Sequence, residues 1–291
     1  MLAEPARRNT SGCLAFAAAW FLARFDLPPE AISMSVLTSD HRIEDPEAFR
    51  ATIQGIWQAV ERHDALGVVG IKPCRPDTGV GYIEIAAGAR PIAESEPDRP
   101  IFPVARFREK PNLELAEHFL STGRCYWNSG MFFWRLSTFL READRACPRL
   151  SQAARAMAQA IRDADSARAA AVFETIEYQS IDIALIERSE NVLAAPGLFS
   201  WMDVGSWDGY YRAHAKDANG NVATGDPVLV DVRDSVIFNE SGSSAFAVSV
   251  IGVRDLAVIV SRDALLVVPM SRAQDVRRAV EELESRGARQ L

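Results

Sequence analysis

Through the first two thirds of the chain, apolar positions switch between helical spacing and short continuous runs. In "TSGCLAFAAAWFLARFD", Leu14, Ala18, Phe21 and Leu22 fall on one helical face, and Thr10 or Ser11 stands where an N-cap belongs. "AISMSVLTSD" then reads as a buried strand ending at Asp40. "DPEAFRATIQGIWQAVERHD" follows as an amphipathic helix, opened by the Asp45 cap and by Pro46 in the first turn, with Phe49, Ile53, Ile56, Trp57 and Val60 at helical spacing. "ALGVVGIKP" is a second apolar strand. Helix, strand, helix, strand in that order predicts a parallel sheet with covered faces.

The middle is less regular. "TGVGYIEIA" is a turn entering a strand, "PVARFREKP" a strand closed by Pro111, and "NLELAEHFLSTG" a helix stopped by Gly123. "YWNSGMFFW" comes next, then a mostly helical stretch from Ser137 to about Phe173, and "NVLAAPGLFSWMDVGSW" returns to strand and turn. Beyond "KDANGN" the texture changes to β-branched runs separated by turn residues without helices, which predicts a small β-rich domain or solenoid-like extension. A charged helix from Ser271 to Arg286 closes the chain. The expected division is therefore an α/β domain over residues 1–218 and a β-rich domain with a final helix over 219–291.

Composition narrows the function classes. The 291 residues are 48% hydrophobic, enough to bury a full core. A formal net charge of -7 argues against a nucleic-acid or anionic-membrane partner. Arg7 and Arg8 precede an apolar run from Gly12 to Ala23, but that run is too short to span a bilayer. "RFDLPPE" follows it in place of a small-x-small cleavage site, which favours an ordinary helix over a signal peptide. Cys13, Cys74, Cys125 and Cys147 have no C-x-x-C spacing and read as free thiols of a cytoplasmic protein.

Three carboxylates fall at predicted strand ends: Asp40, Glu109 and Asp203. Ligands of open parallel sheets bind there, although each acid alone also reads as a cap or turn residue. Two such acids in one crevice could hold Mg²⁺, with Lys110 as a point charge for a phosphate. The four histidines make no metal-ligand pattern, and neither a G-x-S-x-G elbow nor a Walker loop occurs. Asn128 poses a separate question, being an amide inside an aromatic strand. Its desolvation costs roughly 1–3 kcal/mol unless an internal group or a ligand pairs with it.

"EPARRNT", "SDHRIEDPEAF", "GVGYIE", "FREKP", "YWNSGMFFWR", "SIDIALIE" and "WMDVGSW" occur in the same order as in the bacterial mannose-1-phosphate guanylyltransferases, or GDP-mannose pyrophosphorylases. The chain resembles that family over nearly its whole length. The resemblance implies a Rossmann-like sugar-nucleotide transferase domain with a β-rich C-terminal portion, and the conversion of GTP and mannose 1-phosphate to GDP-mannose and pyrophosphate. It further implies Mg²⁺ on Asp40 and Asp203, sugar hydroxyls on Glu109 and Asn128, and the sugar phosphate on Lys110. The backbone at Gly81 would approach the sugar, and Asn9 and Thr10 would lie on the nucleotide side. A homodimer stays open.

The chain departs from the pattern at its start, where relatives first carry a strand, a G-x-G-x-R loop and a second βα unit. The expectation is a truncated nucleotidyltransferase domain that alone makes no GDP-mannose, binds GTP weakly or not at all, and keeps residual mannose 1-phosphate binding only if the remaining sheet stays folded. Two readings follow: an active guanylyltransferase whose true start lies upstream, or a degenerate, non-catalytic sugar-phosphate-binding or regulatory partner. "SGC" after "RNT", "SDHRI" and Val80 in "GVGYIE" are smaller departures.

Overall fold

A computed structural model describes residues 2–93 and 95–289. They pack into two units, one of Met1–Thr38 with Asp45–Phe199, the other of Ser39–Glu44 with Ser200–Leu291. In chain order the first elements are α1 (Asn9–Arg24), β1 (Ser33–Val36), β2 (His41–Ile43), α2 (Pro46–His63), β3 (Leu66–Ile71), β4 (Tyr82–Ile85) and β5 (Phe102–Arg108). Next come α3 (Leu113–Thr122), β6 (Cys125–Arg135), α4 (Leu136–Ala146), α5 (Pro148–Arg162), α6 (Ser166–Glu174), α7 (Ile181–Ala184) and β7 (Val192–Pro196). All but β2 belong to the first unit.

Local chemistry explains the best-defined helices. Asp45 caps α2 by accepting from the Glu47 and Ala48 N–H groups at 3.2 and 3.0 Å, and Asn112 caps α3 through Leu115 N–H at 3.0 Å. Gly123 ends α3 at φ +66°, a conformation open to glycine without a Cβ penalty. Helix α1 differs from expectation: neither Thr10 nor Ser11 caps it, since the N-cap position is Arg8 with no side-chain cap bond. Both residues lie inside the first turn and bond elsewhere.

The sheet of the first unit has the order β1-β6-β3-β7-β5-β4, with β4 also touching β6. It is mixed, which corrects the expected parallel sheet: only β3–β7 is a parallel pair, while β6 runs antiparallel to β1, β3 and β4. The long β6 lies between β1 and β3, so those two share a direction without being neighbours. Every residue of β3 is buried, which explains its unbroken apolar run. Burying Leu66, Val68 and Val69 contributes about 1.5–3 kcal/mol each. A Cβ on Gly67 would stand 2.6 Å from Val60 Cγ1, so any side chain there would push α2 off the sheet.

The strand expected to end at Asp40 stops at Val36, and residues 41–43 form β2 of the second unit. That unit continues through β8 (Trp201–Asp203), α8 (Trp207–Ala213), β9 (Val222–Thr224), β10 (Val228–Val230), β11 (Val236–Asn239), β12 (Ser249–Ile251), β13 (Leu256–Ser261) and β14 (Ala264–Pro269). A 3-10 segment over Met270–Asp275 leads into α9 (Val276–Ser285), so the final α-helix begins later than Ser271. Strands β9, β11 and β13 stack in parallel, as do β10 and β12, forming a solenoid around Val232, Ile237, Val248, Val250, Val258 and Val260. The buried Asn221 amide closes a coil by donating to Val232 O at 2.9 Å and accepting from Ser235 N–H at 3.2 Å.

Trp207, Tyr210 and Tyr211 of α8 pack on a second cluster of Val222, Val236 and Ile259. That packing places the segment from Ser200 in the second unit, ahead of the turn at 218–219 where the strand texture begins. Among the described residues no helix is long and apolar enough to cross a membrane.

Candidate active site

In the first unit the end of β5, the first part of β6, the start of β4 and the helix α7 bring five groups together. Asn128 N–H donates to Gly81 O at 2.7 Å, which sets the mouth of β4 against β6. A Cβ on Gly81 would lie 2.6 Å from Glu109 Oε2, 3.2 Å from Phe107 Cζ and 3.3 Å from Asn128 Cβ. The Glu109 carboxylate occupies the space that any larger residue would fill. Lys110 turns at φ +43°, at a cost of order 1–3 kcal/mol for a lysine, and its Nζ comes back to 3.5 Å from Glu109 Oε1.

Burial pushes the Glu109 carboxyl up to about 7, and the charge of Asp182 adds to the rise while Lys110 opposes it. Asp182 itself is raised by burial, against hydrogen bonds that include one from Asn128. Sequence reasoning misses this acid, although Ser180-Ile181-Asp182 carries the signal of a capped turn before apolar residues. Asn128 has internal partners: its Nδ2 donates to Asp182 Oδ1 at 2.8 Å and its Oδ1 accepts from Gly130 N–H at 3.2 Å. The buried amide therefore does not need a ligand to be satisfied, though one N–H and one lone pair remain.

Asn9 and Thr10 open α1. Asn9, at φ +57°, accepts from Thr10 N–H at 2.7 Å, and Thr10 Oγ1 accepts from Ile181 N–H at 2.9 Å. Ser11 Oγ donates to Gln179 O at 2.6 Å. The start of α1 thus clamps the turn that delivers Asp182.

Asp40 and Asp203 belong to the second unit, on the ribbon of β2 and β8, where His41 pairs with Asp203. The pairing sets both acids at one end of the ribbon. His41 Nδ1 accepts from Trp201 Nε1 at 3.0 Å, so its other nitrogen carries the ring proton in the neutral form. Burial lowers the His41 pKa, against the charges of Asp203 and Asp40. Asp203 Oδ1 accepts from Gly205 N–H at 2.8 Å, leaving Oδ2 for a ligand. Among the described residues no group of three or more His, Cys, Asp or Glu could cage a metal. Two carboxylates nevertheless match an ion such as Mg²⁺, which keeps waters and substrate oxygens as its other ligands.

A mixed sheet edged by acids and a lysine, continued by a parallel β-solenoid, defines the class. Residues 1–220 match the model of the nucleotidyl transferase family, and the chain belongs to that family. Residues 225–283 match a β-helix domain described as mannose-phosphate isomerase/GMP-like. Within the family, the likeness is to the mannose-1-phosphate guanylyltransferases. The Escherichia coli K12 protein of that name is 36% identical over 99% of this chain and 58% of its own length. The alginate biosynthesis protein AlgA of Pseudomonas aeruginosa is 35% identical over 99% of this chain and 57% of its own. The chain thus spans rather more than half the length of these relatives. A Thermus thermophilus structure described as a mannose-1-phosphate geranyltransferase superposes with a TM-score of 0.78 at 29% identity, covering 97% of this chain and 77% of that one.

Proposed function

We propose that this chain serves a mannose-1-phosphate guanylyltransferase reaction, GTP plus α-D-mannose 1-phosphate giving GDP-mannose and pyrophosphate, in the cytoplasm. The observation that carries the reading is the meeting of Gly81, Glu109, Lys110 and Asn128 in one patch of a nucleotidyl transferase unit. A carboxylate and an amide suit sugar hydroxyls, and a flexible ammonium suits a phosphate. The missing Cβ of Gly81 lets the sugar ring approach the backbone.

The substrate phosphate is already anionic, so no general base is required. One of its oxygens attacks the α-phosphorus of GTP, the new P–O bond forms, and the bond from that phosphorus to the bridging oxygen breaks with its electron pair leaving on pyrophosphate. The residues' work is alignment and charge neutralisation. Lys110 holds the attacking phosphate, Glu109 and Asn128 fix the sugar, and Asn9 and Thr10 brace the turn behind it. Asp40 and Asp203 would hold Mg²⁺, which when bound neutralises phosphate charge.

Pyrophosphate release from GTP, measured with mannose 1-phosphate and with glucose 1-phosphate, tests the reading. In a form that also carries the G-x-G-x-R loop of the relatives, faster release with mannose 1-phosphate, lost in Lys110→Ala, is expected. Mannose 1-phosphate binding without any release would favour a non-catalytic sugar-phosphate-binding partner.

A further inference from the structure

Three sequence motifs far apart in the chain are joined by side-chain bonds around one acid. Thr10 Oγ1 accepts from Ile181 N–H at 2.9 Å, Ser180 Oγ accepts from Ile183 N–H at 3.4 Å, and the turn so fixed delivers Asp182 to Asn128 Nδ2 at 2.8 Å. On the other side of the amide, Gly130 N–H reaches Asn128 Oδ1 at 3.2 Å. Gly130, at φ +72°, turns the strand so that its N–H points back.

These partners settle which way the amide faces. A carboxylate needs a donor and an N–H needs an acceptor, so Asp182 and Gly130 demand the same orientation, and the flipped amide would lose both bonds. We propose that Asp182 is a positioning residue of the sugar subsite, holding the Asn128 amide in the one orientation that presents its remaining N–H and oxygen lone pair to a sugar hydroxyl. This rests on the reading of the patch as a sugar-phosphate subsite. Asp182 contacts no reacting atom in this role.

Asp182 has a second effect, through charge. Glu109 is faced by Asp182 from α7, by Glu187 from the turn after it and by Lys110 beside it, with Arg108 paired to Glu187 at 2.7 Å. Removing the Asp182 charge makes Glu109 easier to ionise. The acid limb of mannose 1-phosphate binding then moves to lower pH, which loss of packing alone would not produce.

Two variants of the full chain separate the effects. Asp182→Ala removes the acceptor, and hydrogen exchange of the Asn128 side-chain amide, followed by ¹⁵N–¹H spectra and assigned by its loss in Asn128→Ala, should accelerate by roughly tenfold or more. Mannose 1-phosphate affinity should fall roughly tenfold while any GTP binding is unchanged. Asp182→Asn retains shape and an acceptor oxygen, so the amide should stay protected and the affinity at about pH 8 nearly whole, while the acid limb moves down. If Asp182→Ala fails to fold, Asp182→Asn carries the test. Accelerated Asn128 exchange in folded Asp182→Asn, or unchanged exchange in folded Asp182→Ala, overturns the proposal, and an unshifted acid limb in Asp182→Asn overturns the charge effect. Should the wild-type chain bind no mannose 1-phosphate, the subsite reading fails and the role proposed for Asp182 falls with it. Amide protection dependent on Asp182 would then mark only a structural bond.

Discussion

Gly81→Ala separates the shape of the sugar patch from the stability of the fold. The added Cβ would sit 2.6 Å from Glu109 Oε2, about 1 Å inside ordinary contact, and 3.2 and 3.3 Å from Phe107 Cζ and Asn128 Cβ. The tightest clash is with the far end of a flexible side chain, which can swing away. The two looser ones are with groups held by the sheet and give by a few tenths of an ångström. The fold should therefore lose about 1–2 kcal/mol, toward the low end for overpacking. The displaced Glu109 no longer reaches a sugar hydroxyl, and a hydrogen bond to a charged group is worth about 1.5–3 kcal/mol, or roughly 10- to 150-fold in affinity. Urea denaturation with an unchanged m-value measures the first effect, and calorimetric titration with mannose 1-phosphate the second. A folded variant with wild-type affinity would refute the reasoning, and so would a stability loss above about 4 kcal/mol, because the clash would then fall on the core.

Glu109 gives a stability test with a definite sign. Its carboxyl is raised to about 7 from 4.5, so between those values the folded chain binds more protons than the unfolded one and this group makes stability fall as pH rises. Denaturation of Glu109→Gln between pH 4.5 and 7 should show that component of the slope removed, and an unchanged slope would contradict it. The ionised carboxylate is the stronger acceptor for sugar hydroxyls, so wild-type mannose 1-phosphate affinity should weaken as pH falls through about 7. Asp203→Asn can still accept from Gly205 N–H and should fold, while in a catalytically active form it slows nucleotidyl transfer by roughly 10²–10⁴ for ~3–5 kcal/mol lost; wild-type turnover at saturating Mg²⁺ would exclude Asp203 as a ligand. Thr10→Val leaves Ile181 N–H without its acceptor and should cost about 1–3 kcal/mol, read by denaturation; an unchanged midpoint would refute the clamp.

What was legible in the sequence was what is local. Asp45-Pro46 and the Asn112 to Gly123 frame mark α2 and α3 because caps act within a turn. The apolar run of β3 announces burial on both faces but not strand direction, and β6 runs antiparallel beside it. The end of β1 at Val36 is hidden because the apolar positions run on to Leu37, and β2, with Ile43 as its one apolar residue, is fixed by pairing with β8, far along the chain. Glu109, Lys110, Asn128 and Gly81 could be named from their motifs. Asp182, 54 positions beyond Asn128, could not be matched to it until the fold put the two side by side.

Calorimetric titration of mannose 1-phosphate into the wild-type chain and into Lys110→Ala decides whether this patch holds a sugar phosphate. Saturable one-to-one binding at about pH 8, weakened roughly tenfold or more by the loss of the ammonium, is the predicted result. Absence of binding to the folded wild-type chain, or equal affinity in the two proteins, would contradict the assignment of this patch to a sugar phosphate.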